Sequence, residues 1–240
     1  MQSARLHEKS IVAHLSTHAL VLFDIDGTLI RRAGPHHRQA LVDAVRRITG
    51  FETTTEGVPV AGMLDHDILK TMMLRAGMKP LIIRRALPDI MRRAQLLYAH
   101  SCPDLQKKVC PGVRHLLARL DRRGVIIGLV TGNLSRIAWK KMDQAGLRSY
   151  FRFGAFAEDA KDRSGLVRLA VREARRRSWI NGTSNMSLIG DHPNDILAAR
   201  ANRIRSIAVA TGIVGIEELA VHSPDVLLPD LRSLRLEMLL

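Results

Sequence analysis

Sulfur is scarce in this chain: 240 residues hold two cysteines, Cys102 and Cys110, on either side of a short polar segment. So few argue against a disulfide framework or a structural thiolate metal site and predict free thiols in a reducing compartment. Aromatic residues are only 4% of the chain, which leaves little stacking surface for single-stranded nucleic acid. Long apolar runs are missing too. The stretch 125–130 is typical of the longest and far short of the roughly 20 residues of a membrane span. The N-terminal residues lack the continuous apolar core of a signal peptide, so the expectation is a cytoplasmic protein without membrane association.

What the chain has in excess is positive charge, 37 Lys+Arg against 23 Asp+Glu, a net +14. The basic residues are scattered as pairs (Arg31-Arg32, Arg46-Arg47, Arg84-Arg85, Arg92-Arg93, Arg122-Arg123) with one triplet, Arg175-Arg176-Arg177. Spread over helical faces, they predict solvated surface and a general pull on small anionic substrates, and no specific nucleic-acid partner. Hydrophobic residues at 46% suffice for a real core. Residues 1–18, with His7, His14 and His18, carry no repeat or metal-like spacing and read as a lead-in.

The chain is organised around Ala19-Leu20-Val21-Leu22-Phe23-Asp24-Ile25-Asp26-Gly27-Thr28-Leu29. Five apolar residues, too few for a helix, predict a central strand buried on both faces. Two carboxylates then reach the carboxyl edge of the sheet, where open α/β folds bind their ligands, and the glycine permits a sharp turn. Asp-x-Asp-Gly also occurs in calcium loops.

Two further stretches repeat this design. Val125-Ile126-Ile127-Gly128-Leu129-Val130 predicts a second buried strand ending in Thr131-Gly132-Asn133. Ser187-Leu188-Ile189-Gly190 predicts another, ending in Asp191-His192-Pro193-Asn194-Asp195. Between them Lys161-Asp162-Arg163-Ser164 precedes a helix carrying Leu166, Leu169, Ala170 and Val171. Ser206 to Ala210 and Asp225 to Leu228 predict two more strands, with a helix near Ile216 to Ala220 between them.

Taken in order, these motifs resemble those of the haloacid dehalogenase-like hydrolases, and the resemblance covers residues 19–230. It implies an α/β fold, a doubly wound parallel-sheet, Rossmann-like core (1–30 and 108–240) with an inserted α-helical cap (31–107), and a phosphoglycolate phosphatase-like, magnesium-dependent phosphatase. Asp24 would attack phosphorus, and Asp26 would protonate the leaving oxygen and then activate water. Thr131, Gly132 and Asn133 would bind phosphoryl oxygens. A cation, Lys161 by helix register or Arg163 by an Asp-Arg pair found in a subgroup, would neutralise nucleophile and phosphate; Lys161 is favoured. Asp24, the Asp26 carbonyl, Asp191 and Asp195 would hold Mg2+. His192 is expected to be a turn residue.

In the presumed cap, Leu41, Val45 and Ile48 form one stripe before Gly50, and Ile68, Leu69, Met72, Met73 and Ala76 a second before Gly77. A third helix is expected from Pro88 to about His100. His36, His37 and His66 read as satisfied or exposed histidines. The segment Gly57 to Asp65 looks like the family's cap specificity loop.

The implied substrate is a small anionic phosphorylated metabolite, and the implied state a monomer or homodimer. Because Asp26 is present, halide removal is disfavoured; Lys70, by its location alone, is a candidate for a phosphonate-cleaving imine. A phosphoglucomutase-type transferase shares the four motifs, and a non-catalytic binding protein on this fold is the rival from another class. Ile30-Arg31-Arg32 departs from the acidic or small polar pair of phosphoglycolate-type members.

Overall fold

Leu20–Phe23 form β1, all four residues buried. In a strand successive side chains point to opposite faces. Leu20 and Leu22 accordingly join one apolar layer, and Val21 and Phe23 the other. Each fully buried side chain of this size contributes about 1.5–3 kcal/mol, so even four residues make a firm centre.

The computed structural model describes residues 19–31 and 34–239; the expected lead-in with His7, His14 and His18, and Arg32, lie outside them. From β1 the chain runs through helices α1 (His36–Thr49), α2 (Asp65–Arg75), α3 (Pro80–Ser101) and α4 (Val113–Arg122) to β2 (Ile126–Val130). Then come α5 (Ser135–Gln144), β3 (Phe153–Ala155), α6 (Arg163–Arg176), β4 (Met186–Gly190), α7 (Pro193–Ala201), β5 (Arg205–Val209), α8 (Ile216–Val221) and β6 (Val226–Leu228). The six strands lie in the order β3-β2-β1-β4-β5-β6, every pairing parallel. This is the doubly wound α/β core expected from the sequence, with β1 between β2 and β4 where the strand order reverses, the place at which such sheets bind ligands.

No strand interrupts α1 to α3, which pack on one another. Their apolar residues, among them Leu41, Leu69, Met72, Ile90 and Tyr98, form one continuous cluster with Leu20, Leu134 and Leu166 of the sheet layers. Two details of this segment correct the sequence reading. The third helix begins at Pro80, with Pro88 inside it. Pro80 takes the first-turn position, where a missing N–H costs nothing, and Pro88 removes one interior hydrogen bond that the packing of Ile83, Ile90 and Ala94 offsets. Ile48 is 42% exposed, because the buried face of α1 is made by Ala40, Leu41, Ala44 and Val45. Among the described residues no helix is long and apolar enough to cross a membrane, and Cys102 and Cys110 are free.

Candidate functional site

The backbone continues the β1 ladder for one residue, Asp24 N–H donating to the Ile189 carbonyl at 3.0 Å, and then turns. Leu29 and Ile30 N–H both return to the Ile25 carbonyl at 2.9 Å. Gly27 sits at φ +91°, a conformation that L side chains resist. A second constraint acts at the same place, since a Cβ on Gly27 would collide with the Asp191 carboxylate. Gly212, after β5, closes on that carboxylate from another side, and a Cβ there would overlap Asp191 Oδ2. Asp191 thus lies in a cradle that side chains would fill, with Thr28 Oγ1 donating to its Oδ1 at 3.1 Å.

Asp24, Asp191 and Asp195 bring carboxylate oxygens within 4.8 Å of one another, all three side chains buried. One guanidinium answers them: Arg163 Nη1 lies 3.1 Å from Asp24 Oδ1 and 2.8 Å from Asp195 Oδ1. Three carboxylates against one cation leave two negative charges unbalanced. Burial first, then the charges of Asp24 and Asp195, push the Asp191 carboxyl well above the ordinary range, outweighing the Thr28 hydrogen bond and Arg163. Burial likewise raises Asp195 to about 7 against the pull of Arg163, with Asp24 adding to the rise. A buried all-oxygen donor set with this charge deficit fits a hard divalent cation.

Gly212→Ala tests the cradle. Overpacking at such a site typically costs 1–3 kcal/mol. Charged to displacement of Asp191, that weakens divalent-cation affinity by about tenfold or more, which titrating the metal against melting temperature would measure.

Arg163 and Lys161 are separated by the start of a helix. Asp162 is the N-cap of α6, its Oδ1 accepting from Gly165 N–H at 2.7 Å. The cap fixes Arg163 as the first helical residue, facing the carboxylates, and leaves Lys161 outside the helix and exposed. Among the described residues Arg163, and not the favoured Lys161, is the cation paired with the cluster. Its Nε is buried without a hydrogen-bond partner among the described residues, as is Asn133 Oδ1.

At the tip of β2, Thr131 is fully buried, and its Oγ1 accepts from Asn133 N–H at 3.3 Å and Asn133 Nδ2 at 3.1 Å. Asn133 Nδ2 also donates to Asp26 Oδ2 at 2.8 Å, joining this loop to the first motif. A Cβ on Gly132 would strike the Met63 carbonyl.

Asp26 meets a residue that sequence reasoning missed. Lys141 of α5, 1% exposed, sets its Nζ 2.7 and 2.6 Å from the two Asp26 carboxylate oxygens. The Asp26 side chain keeps 39% exposure, so desolvation, which would raise its pKa, is partial. The nearby Lys141 charge and the Lys141 and Asn133 hydrogen bonds hold the carboxyl below the usual range. The signal was present in the sequence: Lys141 falls on the same buried face of α5 as Ile137, Ala138 and Met142.

The α1–α3 segment reaches the same edge. Asp65 N–H donates to the Gly132 carbonyl at 2.7 Å, and Asp65 Oδ2 accepts from Leu134 N–H at 2.8 Å. His66 Nδ1 bonds the Ala157 carbonyl at 2.7 Å, and Asn194 Nδ2 donates to the Gly62 carbonyl at 2.9 Å. Residues 62–66 therefore pass over the loops after β2 and β4. His192 caps α7, accepting from Asn194 N–H through Nδ1. Burial and then Arg163 lower its pKa, in keeping with a neutral acceptor. Lys70 pairs with Asp67 at 3.1 Å, its side chain 43% exposed, and has no contact with the carboxylates. A cavity of about 390 Å³ lined by His36, Asp43, Arg47, Arg93 and His100 lies between α1 and α3 and shares no residue with the carboxylate cluster, so charge and not volume locates the site.

Comparison with known proteins agrees with the geometry. The family model for haloacid dehalogenase-like hydrolases matches residues 18–202. A protein of Pseudomonas fluorescens named phosphoglycolate phosphatase is 27% identical over 229 residues, covering 90% of this chain and 78% of its own length. Among solved structures, CbbY from Rhodobacter sphaeroides in complex with xylulose-1,5-bisphosphate superposes with a TM-score of 0.69 at 21% identity, covering 92% of this chain and 98% of its own. A β-phosphoglucomutase from Clostridium difficile gives a TM-score of 0.66 at 19% identity, with 92% and 94% coverage. At these identities the two structures speak for the fold.

Proposed function

The chain belongs to the haloacid dehalogenase-like hydrolases and is a phosphoric monoester hydrolase, and from that premise we propose that it cleaves a small phosphorylated metabolite through an aspartyl-phosphate on Asp24, with magnesium as its cofactor. The observation that carries this reading is the group of three buried carboxylates, two of them paired with one guanidinium whose Nε has no hydrogen-bond partner among the described residues.

An Asp24 carboxylate oxygen forms the new bond to phosphorus as the ester P–O bond breaks, and the leaving oxygen takes the proton carried by Asp26. Asp26 is held ionised by Lys141 at rest. It takes up that proton from solvent as the negative phosphate arrives beside it, since a nearby like charge favours the neutral carboxyl. In the second half Asp26, again a carboxylate, removes a proton from water, whose oxygen attacks phosphorus and releases Asp24 and inorganic phosphate. Arg163 Nε, the Thr131 hydroxyl and the backbone of Gly132 and Asn133 are the donors for phosphoryl oxygens. Asp24, Asp191, Asp195 and the Asp26 carbonyl would hold magnesium, which when bound neutralises the carboxylates and polarises the phosphoryl group. We take residues 31–107 as a cap whose segment 57–65 contacts the substrate, over a core of 1–30 and 108–240. Closure excludes competing water.

Assays of phosphate release from a panel of monoesters, beginning with 2-phosphoglycolate because a relative bears that name, test the proposal. Release that requires magnesium and stops with chelator is the expected result; no release from any monoester, or release indifferent to chelator, overturns it. Stability gives an independent readout. Burial pushes Asp195 up to about 7 in the folded chain, above the ordinary carboxylate value of about 3.9, so the folded chain binds the extra proton between those values. The metal-free protein therefore loses stability as pH rises through that window. Magnesium needs the ionised carboxylates, so the rise in melting temperature it causes should grow over the same window.

A further inference from the structure

A lysine buried on the apolar face of a helix is costly, because taking an ammonium from water costs several kcal/mol unless its charge and all its protons are answered. At Lys141 they are. Two N–H bonds go to the two Asp26 oxygens, and the third faces His37 Nδ1 at 3.4 Å. His37 Nε2 in turn lies 3.0 Å from Asp65 Oδ2, a pairing that assigns the proton to Nε2 and leaves Nδ1 as acceptor. Asp65 Oδ2 also accepts from Leu134 N–H at the head of α5, the helix that carries Lys141. The Tyr98 ring, its centroid 5.9 Å from Nζ, closes the remaining side. A lysine has three donors, and here each has a fixed acceptor.

We propose that Lys141 is a positioning residue for the acid/base Asp26: it grips both carboxylate oxygens from α5, and His37 and Asp65 hold it in place. Asn133 completes the grip on Oδ2. This inference rests on the reading of Asp26 as acid and base. A carboxylate 39% exposed at the rim of the site would otherwise sample several rotamers, and small misplacements of a reacting group are expensive in rate.

The test compares an alkyl phosphate with 2,4-dinitrophenyl phosphate, whose leaving group departs without a proton. Lys141→Met should lower kcat on the alkyl ester by about 10²-fold with little change in KM, the scale of a lost general acid. With the dinitrophenyl ester it should give a rapid burst of phenolate followed by slow turnover, because forming the aspartyl-phosphate is spared and its hydrolysis is not. Equal losses on both esters without a burst, or a rise in KM alone, overturn the proposal. Asp26→Asn is run alongside. If it turns over normally, the acid/base reading itself fails; if it shows the burst while Lys141→Met behaves as wild type, only the role of Lys141 fails. The double variant Lys141→Met/Asp26→Asn removes both charges together and avoids leaving an unpaired carboxylate should the single change not fold. Turnover equal to that of Asp26→Asn alone supports the proposal, and a further fall refutes it.

Discussion

Asp24→Asn is expected to abolish phosphate release, a loss of at least about 10⁴-fold, the scale seen when a nucleophile is removed and binding is kept. An amide oxygen does not displace an ester oxygen from phosphorus, and no other described carboxylate occupies the end of β1 with its backbone in the sheet. The substitution breaks the 3.1 Å pair with Arg163. It also removes a negative charge that pushes up the carboxyls of both Asp191 and Asp195. These effects oppose each other, so the metal-free melting temperature should change little while the response to magnesium weakens. Mass spectrometry after a rapid acid quench should find the phosphorylated protein in wild type and none in the variant. Near-normal turnover by the purified variant would remove Asp24 from the role of nucleophile.

The parts of this molecule legible in the sequence were those in which local pattern and tertiary environment agree. β1 was readable because a strand buried on both faces must be continuously apolar, and the polar residues following β1, β2 and β4 stood out against such runs. The structure brings Asp24, Asp26, Thr131, Asn133, Arg163, Asp191 and Asp195 to one sheet edge. β3 escaped notice because Phe153-Gly154-Ala155 is too short to show a period. α5 escaped because Lys141 interrupts its apolar face, and a charge at such a position makes sense only once its partner, 115 residues earlier in the chain, is in view. The contact of Asp65 with Leu134 N–H was hidden for the same reason. Lys161 is different: the chain did carry the deciding signal, an Asp followed by a helix-forming stretch, and giving Asp162 its weight as an N-cap puts Arg163 in the first turn.

That register yields the second large effect. Arg163→Ala leaves three buried carboxylates without their guanidinium, and breaking a buried pair from one side costs about 3–5 kcal/mol. The melting temperature should fall markedly in chelator, and magnesium should restore part of it by supplying the missing positive charge. Activity should not recover with it. Lys161→Ala, at an exposed residue outside the helix, should stay within about 0.5 kcal/mol in stability and leave turnover nearly unchanged. If the lysine variant loses activity and the arginine variant keeps it, the assignment is reversed. Arg163→Lys divides the two duties of the side chain. Both ion pairs run through Nη1, which an ammonium can replace as a point charge, whereas Nε is a buried donor without a partner among the described residues. If Nε is kept for a phosphoryl oxygen, the lysine variant should hold most of the melting temperature and still lose about tenfold or more in kcat/KM, the value of one charge-assisted hydrogen bond. Parallel losses of stability and activity would instead make Arg163 a structural counter-ion alone, with phosphoryl binding left to Thr131 and the backbone of the β2 loop.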